Sequence, residues 1–175
     1  GLLGELERDP SLSDHVLATG DHVLGPTGDV AALFDQMDEG QAALFSPYCL
    51  TTDAHVQADI QLDHVPHLDF VIFAPKLLQA SGFKAFWTTF QAGNPWSQFQ
   101  HGLVGFGQFL RDGGHEVAYI LPAPALKAPD TRLYDVHLLL QTGAPCLPLD
   151  VFLHDPFQHD INASLIKPAI DHLRA

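Results

Sequence analysis

Residues 68–74, LDFVIFA, form a continuous apolar run of strand length. A strand with no polar face has to be covered on both sides, so this run reads as a central strand of a sheet that carries helices. Two passages after it share one pattern. PKLLQASGFKAFWTTF (75–90) reads as a short helix, a glycine stop and then a strand. WSQFQHGLVGFGQFLRDGGHEVAYILPA (96–123) does the same at greater length, with Gly113 or Gly114 as the stop and HEVAYIL as the strand. Helix, glycine, strand in succession is how layered α/β units are written. The expected fold is therefore α/β, with α+β as the alternative class. It is a single layered domain over residues 1–175, a mixed β-sheet with helices packed on it, whose central strands are 68–74, 83–90 and 115–121.

The flanking segments fill in this frame. DVAALFDQMDEGQAALF (29–45) spaces Val30, Leu33, Phe34, Met37, Ala42, Leu44 and Phe45 near helical period, with Asp29 as N-cap and Gly40 ending or interrupting the helix. AHVQADIQLDHV (54–65) alternates, as a half-buried strand does. RLYDVHLLLQTG (132–143) and CLPLDVFLHD (146–155) read as two strands joined by a turn at Gly143 to Pro145, and NASLIKPAIDHLRA (162–175) as a terminal helix. Near the start, DHVLATG and DHVLGPTG (14–28) set His15 and His22 two helical turns apart. Gly20, Gly25 and Pro26 limit that segment to one turn of helix and a loop. LRDGGHEVAYI resembles the helix–turn–strand junction of Rossmann-like folds in nucleotide-sugar transferases and dehydrogenases. The likeness spans about a dozen residues and bears on fold, not function.

Charge narrows the partners. The chain has 8 Lys and Arg against 21 Asp and Glu, a formal charge of −13, and the basic residues are scattered. Nucleic acid, a polyanion, is held by clustered Lys and Arg, so it is excluded as a partner, and an anionic membrane surface is disfavoured for the same reason. No stretch reaches the 18 apolar residues of a membrane span. A protein partner with a basic surface, or a small neutral or cationic ligand, suits this field. No stretch of the sequence resembles a signal peptide, and the cytoplasm is the expected compartment. Cys49 and Cys146 are either a disulfide or two small buried hydrophobes.

Eleven histidines are the other compositional signal. DHVPHLDF (63–70) and FLHDPFQHD (152–160) both crowd histidine and aspartate at the end of a strand-like run. Imidazole and carboxylate converging from separate segments can hold a divalent metal such as zinc, though neither spacing matches a zinc signature. The metal-ligand candidates are His64, His67, Asp69, His154, Asp155 and His159. Without a metal, the same histidines can act in acid–base chemistry while Asp63, Asp69 and Asp155 orient them. The bland alternative is two solvated loop ends.

Aromatic residues are unevenly placed. Eight of twelve phenylalanines and both tryptophans fall between Phe70 and Phe109. That density builds a core, lines a ligand pocket with histidine at its mouth, or presents anchors to a partner. Phe86, Trp87, Phe90, Trp96 and His101 are the candidate partner- or ligand-binding residues. No G-x-S-x-G elbow, Walker loop or complete dinucleotide fingerprint is present. Three functions follow: a binding or regulatory protein working through the aromatic segment, a metal-supported or His/Asp enzyme on a small molecule, or a carrier of an apolar organic ligand.

Overall fold

The computed structural model describes residues 14–51, 62–91, 93–121, 130–134 and 136–150. Residues 54–61 of the alternating segment and the helix expected at 162–175 lie outside them. In chain order the elements begin with β1 (Val16–Thr19), β2 (Val23–Leu24), α1 (Val30–Gly40), β3 (Leu44–Ser46), β4 (Cys49–Thr51), β5 (His64–Pro66) and β6 (Phe70–Phe73). The short helix α2 (Pro75–Leu78), then α3 (Phe83–Thr89) and α4 (Pro95–Ser97) follow. A π-helical stretch (Gln98–Val104) runs directly into α5 (Gly105–Asp112). The last elements are β7 (Val117–Tyr119), α6 (Thr131–Tyr134), α7 (Val136–Gln141) and β8 (Leu147–Pro148).

The apolar run at 68–74 is β6, and it is central. The main sheet has the order β1-β6-β3-β7, in which β6 runs antiparallel to both neighbours and β3 pairs with β7 in parallel. Two small antiparallel ladders, β2 with β8 and β4 with β5, account for the other described strands. Period-two alternation explains why β6 has no polar position. Phe70 and Ile72 join Leu33 and Met37 of α1, Phe45, Leu139 and Cys146 in one core. Val71 and Phe73 enter the opposite core with Leu77, Phe83, Phe106 and Leu110. The fold is thus α/β with a mixed sheet and helices on both faces.

Local chemistry sets the helix ends. Asp29 caps α1 as its sequence position predicts, its Oδ1 accepting from the backbone of Ala31 at 2.9 Å and of Ala32 at 3.3 Å. The helix ends at Gly40, Gln41 takes a left-handed φ of 55°, and Lys76 Nζ donates to the Gln41 carbonyl. At the far end of α5, Gly114 adopts φ +65°, the left-handed turn that glycine permits, and sends the chain into β7.

Four expectations are corrected. Residues 83–89 form helix α3, not a central strand, because Phe83, Phe86 and Trp87 recur at three- and four-residue steps and face one core. Thr131–Tyr134 and Val136–Gln141 are the helices α6 and α7 instead of a strand: Val136, Leu139 and Leu140 again repeat at helical spacing, and Asp130 starts the turn by accepting from Arg132 N at 2.9 Å. The turn at Gly143, φ +75°, therefore joins a helix to β8. The segment 14–24 holds the strands β1 and β2 rather than a helical turn, and in β1 Val16 and Ala18 pack against the core while Leu17 and Thr19 point to the other face. Finally, 115–121 supplies the edge strand β7, and the second central strand is β3, which the sequence places within the helical periodicity of 29–45.

Candidate functional site

Two sets of side chains deserve a role, one charged and buried, the other polar and open. The charged set lies where β5 gives way to β6. Pro66 ends β5, which lies in a two-stranded ladder, and its missing N–H suits that peripheral place. His67 then donates its backbone N–H to the Tyr48 carbonyl at 3.1 Å. Ser46 Oγ sits 2.8 Å from the carbonyl oxygens of both Tyr48 and His67, tying β3 to the β5–β6 connection.

The His67 side chain is 8% exposed, and its Nε2 lies 3.3 Å from Asp130 Oδ1, itself 12% exposed, as an ion-pair contact rather than an aligned hydrogen bond. Arg132 Nη1 donates to Asp69 Oδ2 at 2.8 Å, and its Nη2 stands 3.4 Å from Asp130 Oδ2. Burial by itself raises the pKa of Asp130, but His67 and Arg132 outweigh it and hold the carboxyl below its usual range. Burial pulls the other way on Arg132, where Asp130 and Asp69 more than compensate and keep the guanidinium charged. The result is a chain of alternating partners, His67, Asp130, Arg132 and Asp69, that pins α6 to the β5–β6 connection.

This placement bears on the six metal-ligand candidates. His67 and Asp69 engage Asp130 and Arg132 rather than each other, and a guanidinium already lies between the two carboxylates. His64 is half-buried in β5, its ring 6.2 Å from that of Tyr119. His154, Asp155 and His159 lie outside the described residues. Among the described residues, no group of three or more His, Cys, Asp or Glu side chains is placed to hold a metal ion. Cys49 and Cys146 are both buried, and they form no disulfide.

The second set is a groove between α3 and the π-helical stretch, with a volume of about 610 Å³. Phe86 and Phe90 provide its aromatic surface, and Gln91, Gln100, Gln108 and His101 its polar groups, with Thr89 and Ser97 beside them. Two glycines allow the approach. A Cβ at Gly102 would come within 3.1 Å of the Phe90 ring, while one at Gly105 would meet Phe86 in ordinary contact at 3.7 Å. The π-helical geometry also matters: Gly105 N–H bonds back to Gln100 O, five residues earlier, which widens the turn carrying Gln100 and His101. Such bulges recur at functional sites because they re-aim side chains without ending the helix.

Three of the five aromatic-segment candidates, Phe86, Phe90 and His101, meet in this groove. Trp87 does not line it. Its ring packs among Phe83, Phe86, Phe90 and Phe106, and its buried Nε1 has no hydrogen-bond partner among the described residues. Trp96 lies outside it as well, 56% exposed and stacked on Phe99 at 5.6 Å. Sequence reasoning missed the three glutamines, which carry no motif, and the partnership of Asp130 and Arg132 with residues more than sixty positions away. The one local sign of the latter is the helix-starting DTR triplet at 130–132.

No family model matches the chain, and no curated protein or solved structure proved similar to it. Among the described residues, no helix is long and apolar enough to cross a membrane.

Proposed function

We propose that the protein binds a small neutral molecule in the groove between α3 and the π-helical stretch, through the aromatic-rich segment. The observation that carries this reading is the composition of the lining. It holds two phenylalanine rings, three glutamines, a serine, a threonine and a histidine, and no Asp, Glu, Lys or Arg. Each glutamine amide offers two donors and an acceptor, so the wall can satisfy a ligand rich in hydroxyl or amide groups while a phenyl face takes its apolar side. The lining itself carries no carboxylate, ammonium or guanidinium to pair with an ionic ligand, and the formal charge of −13 on the whole chain disfavours an anion further.

The test is a thermal-shift screen of neutral polyols, amides and nucleosides, repeated on a Gln100→Ala/Gln108→Ala double variant. A ligand at a hundred times its Kd stabilises the folded state by about 2.7 kcal/mol, enough to read as a clear rise in Tm. Binding through the groove requires that the rise vanish in the double variant and survive in Trp96→Ala, whose ring lies outside the lining. A rise that persists in the double variant would overturn the reading, as would a screen with no rise at all.

A further inference from the structure

A second cavity, of about 340 Å³, opens on the other face of the sheet, beside β1. Its origin is topological. β1 is an edge strand, and its antiparallel register sets Leu17 opposite Ile72 and Thr19 opposite Phe70. Leu17 and Thr19 therefore stand on the face that α1 covers. The buried residues of α1, Leu33 and Met37, enter the core with Phe45, Phe70 and Ile72, toward the middle of the sheet. The strip of face above β1 is left to the β2–α1 loop and to Pro145 and Cys146.

These segments cannot close over the strip, because they are already held elsewhere. Thr27 N donates to Pro145 O at 2.7 Å, and Thr27 Oγ1 to Ala144 O at 2.6 Å. Gly25 is pressed so near that a Cβ there would lie 2.9 Å from Pro145 O. The loop is thus fixed against residues 144–146, and a void remains between it and the strand.

The walls of this void are apolar: Leu17, Val23, Pro26, Val30, Phe70 and Pro145. Thr19 spends its hydroxyl proton on Gly20 O at 3.2 Å. The lining contains no carboxylate, ammonium, guanidinium or imidazole. Leu17, 38% exposed, stands at the mouth and is one of three large hydrophobic residues exposed among the described residues. An apolar cavity of about 150 Å³ is enough to hold benzene.

We propose that this cavity is a second binding site, for a neutral apolar molecule of the bulk of two or three aromatic rings. It is separate from the groove at α3 and does not depend on that reading. Water gains little there, since a bound water needs two to four polar partners. An apolar guest gains the contact area of six hydrophobic side chains.

The experiment uses N-phenyl-1-naphthylamine, a neutral fluorophore, titrated into the whole protein at pH 7, with naphthalene as competitor. Saturable binding of one probe per chain, reversed by naphthalene, is the expected result. Leu17→Trp fills the mouth and Leu17→Asp places a charge in it, and each weakens the probe at least about tenfold, or 1.4 kcal/mol. Because Leu17 is half-exposed on an edge strand, two opposite substitutions there guard against loss of fold, checked by circular dichroism. The Gln100→Ala/Gln108→Ala variant binds the probe as the parent does. No binding, non-saturable binding, or the parent's affinity retained in both Leu17 variants would overturn the proposal.

Discussion

The Tyr48 hydroxyl donates to the Cys146 carbonyl at 2.6 Å and lies 3.2 Å from the sulfur of the same residue. Both residues are buried, and they join the segment after β3 to the segment before β8. Removing the hydroxyl leaves a buried carbonyl without its partner. Tyr48→Phe is expected to cost about 1–3 kcal/mol, the range for an unsatisfied buried group. Urea unfolding checks this, and a midpoint equal to that of the parent would show that the bond contributes nothing.

The same pair controls the alkaline limb. Burial pushes the Cys146 thiol from 9.0 up to about 12, against a smaller opposing pull from Tyr48, and burial likewise raises Tyr48. A raised pKa marks a folded state that favours the neutral form. Its stabilisation is whole below the unfolded value and lost as pH climbs toward the folded one. Tm should therefore start to fall near pH 9 and keep falling toward pH 12, and Cys146→Ala should flatten the slope. In the native protein at pH 8 the buried thiols should resist alkylation, reacting fully only in denaturant.

Asp130 governs the acid side. Burial opposes its ionisation, yet His67 and Arg132 hold its pKa below 3.8, so its contribution is present above that value and disappears as pH drops through the lower folded pKa. Asp130→Asn should cost about 1.5–3 kcal/mol at pH 7, the range for hydrogen bonds to a charged group. It should also remove part of the destabilisation seen below pH 4. A parallel pair of Tm–pH curves in that window would refute the assignment.

Gly25 has no room for a methyl group. A Cβ would sit 2.9 Å from Pro145 O and 3.0 Å from Cys146 Cβ, and backbone cannot yield as a flexible side chain does. Gly25→Ala should destabilise by about 1–3 kcal/mol, as overpacking does. Gly40→Ala is the control: nothing lies within 4 Å of its Cβ position, and it should be neutral or mildly stabilising. Thermal melts of the two variants side by side settle the contrast.

Legibility in the sequence followed the range of the interaction. β6, α1 with its Asp29 cap and the α5–β7 junction rest on local periodicity and turn chemistry, and all three were readable. At 83–90 and 132–143 the apolar residues are dense enough to satisfy a strand template and a helix template at once. Only the packing of Phe83 and Leu139 into their cores decides between them. β3 was obscured because its three residues continue the spacing of the helix before it. For the site, the aromatic segment pointed to Phe86, Phe90 and His101, since residues within one helical hairpin meet whatever the topology. His67 and Asp130 meet only because α6 returns to β4, through a bridge between Leu50 and Asp130. No window of sequence contains that return.

The ladder of β2 with β8 carries a consequence for synthesis on the ribosome. The four described strands of the main sheet have all emerged once Tyr119 has. Val23 must still wait for Pro148. At about 5–20 residues per second, the roughly 125 residues between them take about 6–25 s to appear. Over the last part of that interval, from Tyr119 to Pro148, the nascent chain carries the four strands of the main sheet and an unpaired β2. At two residues, Val23 and Leu24, that strand is too short to recruit a neighbouring chain, so the ladder that closes late offers little to mispair with while it waits.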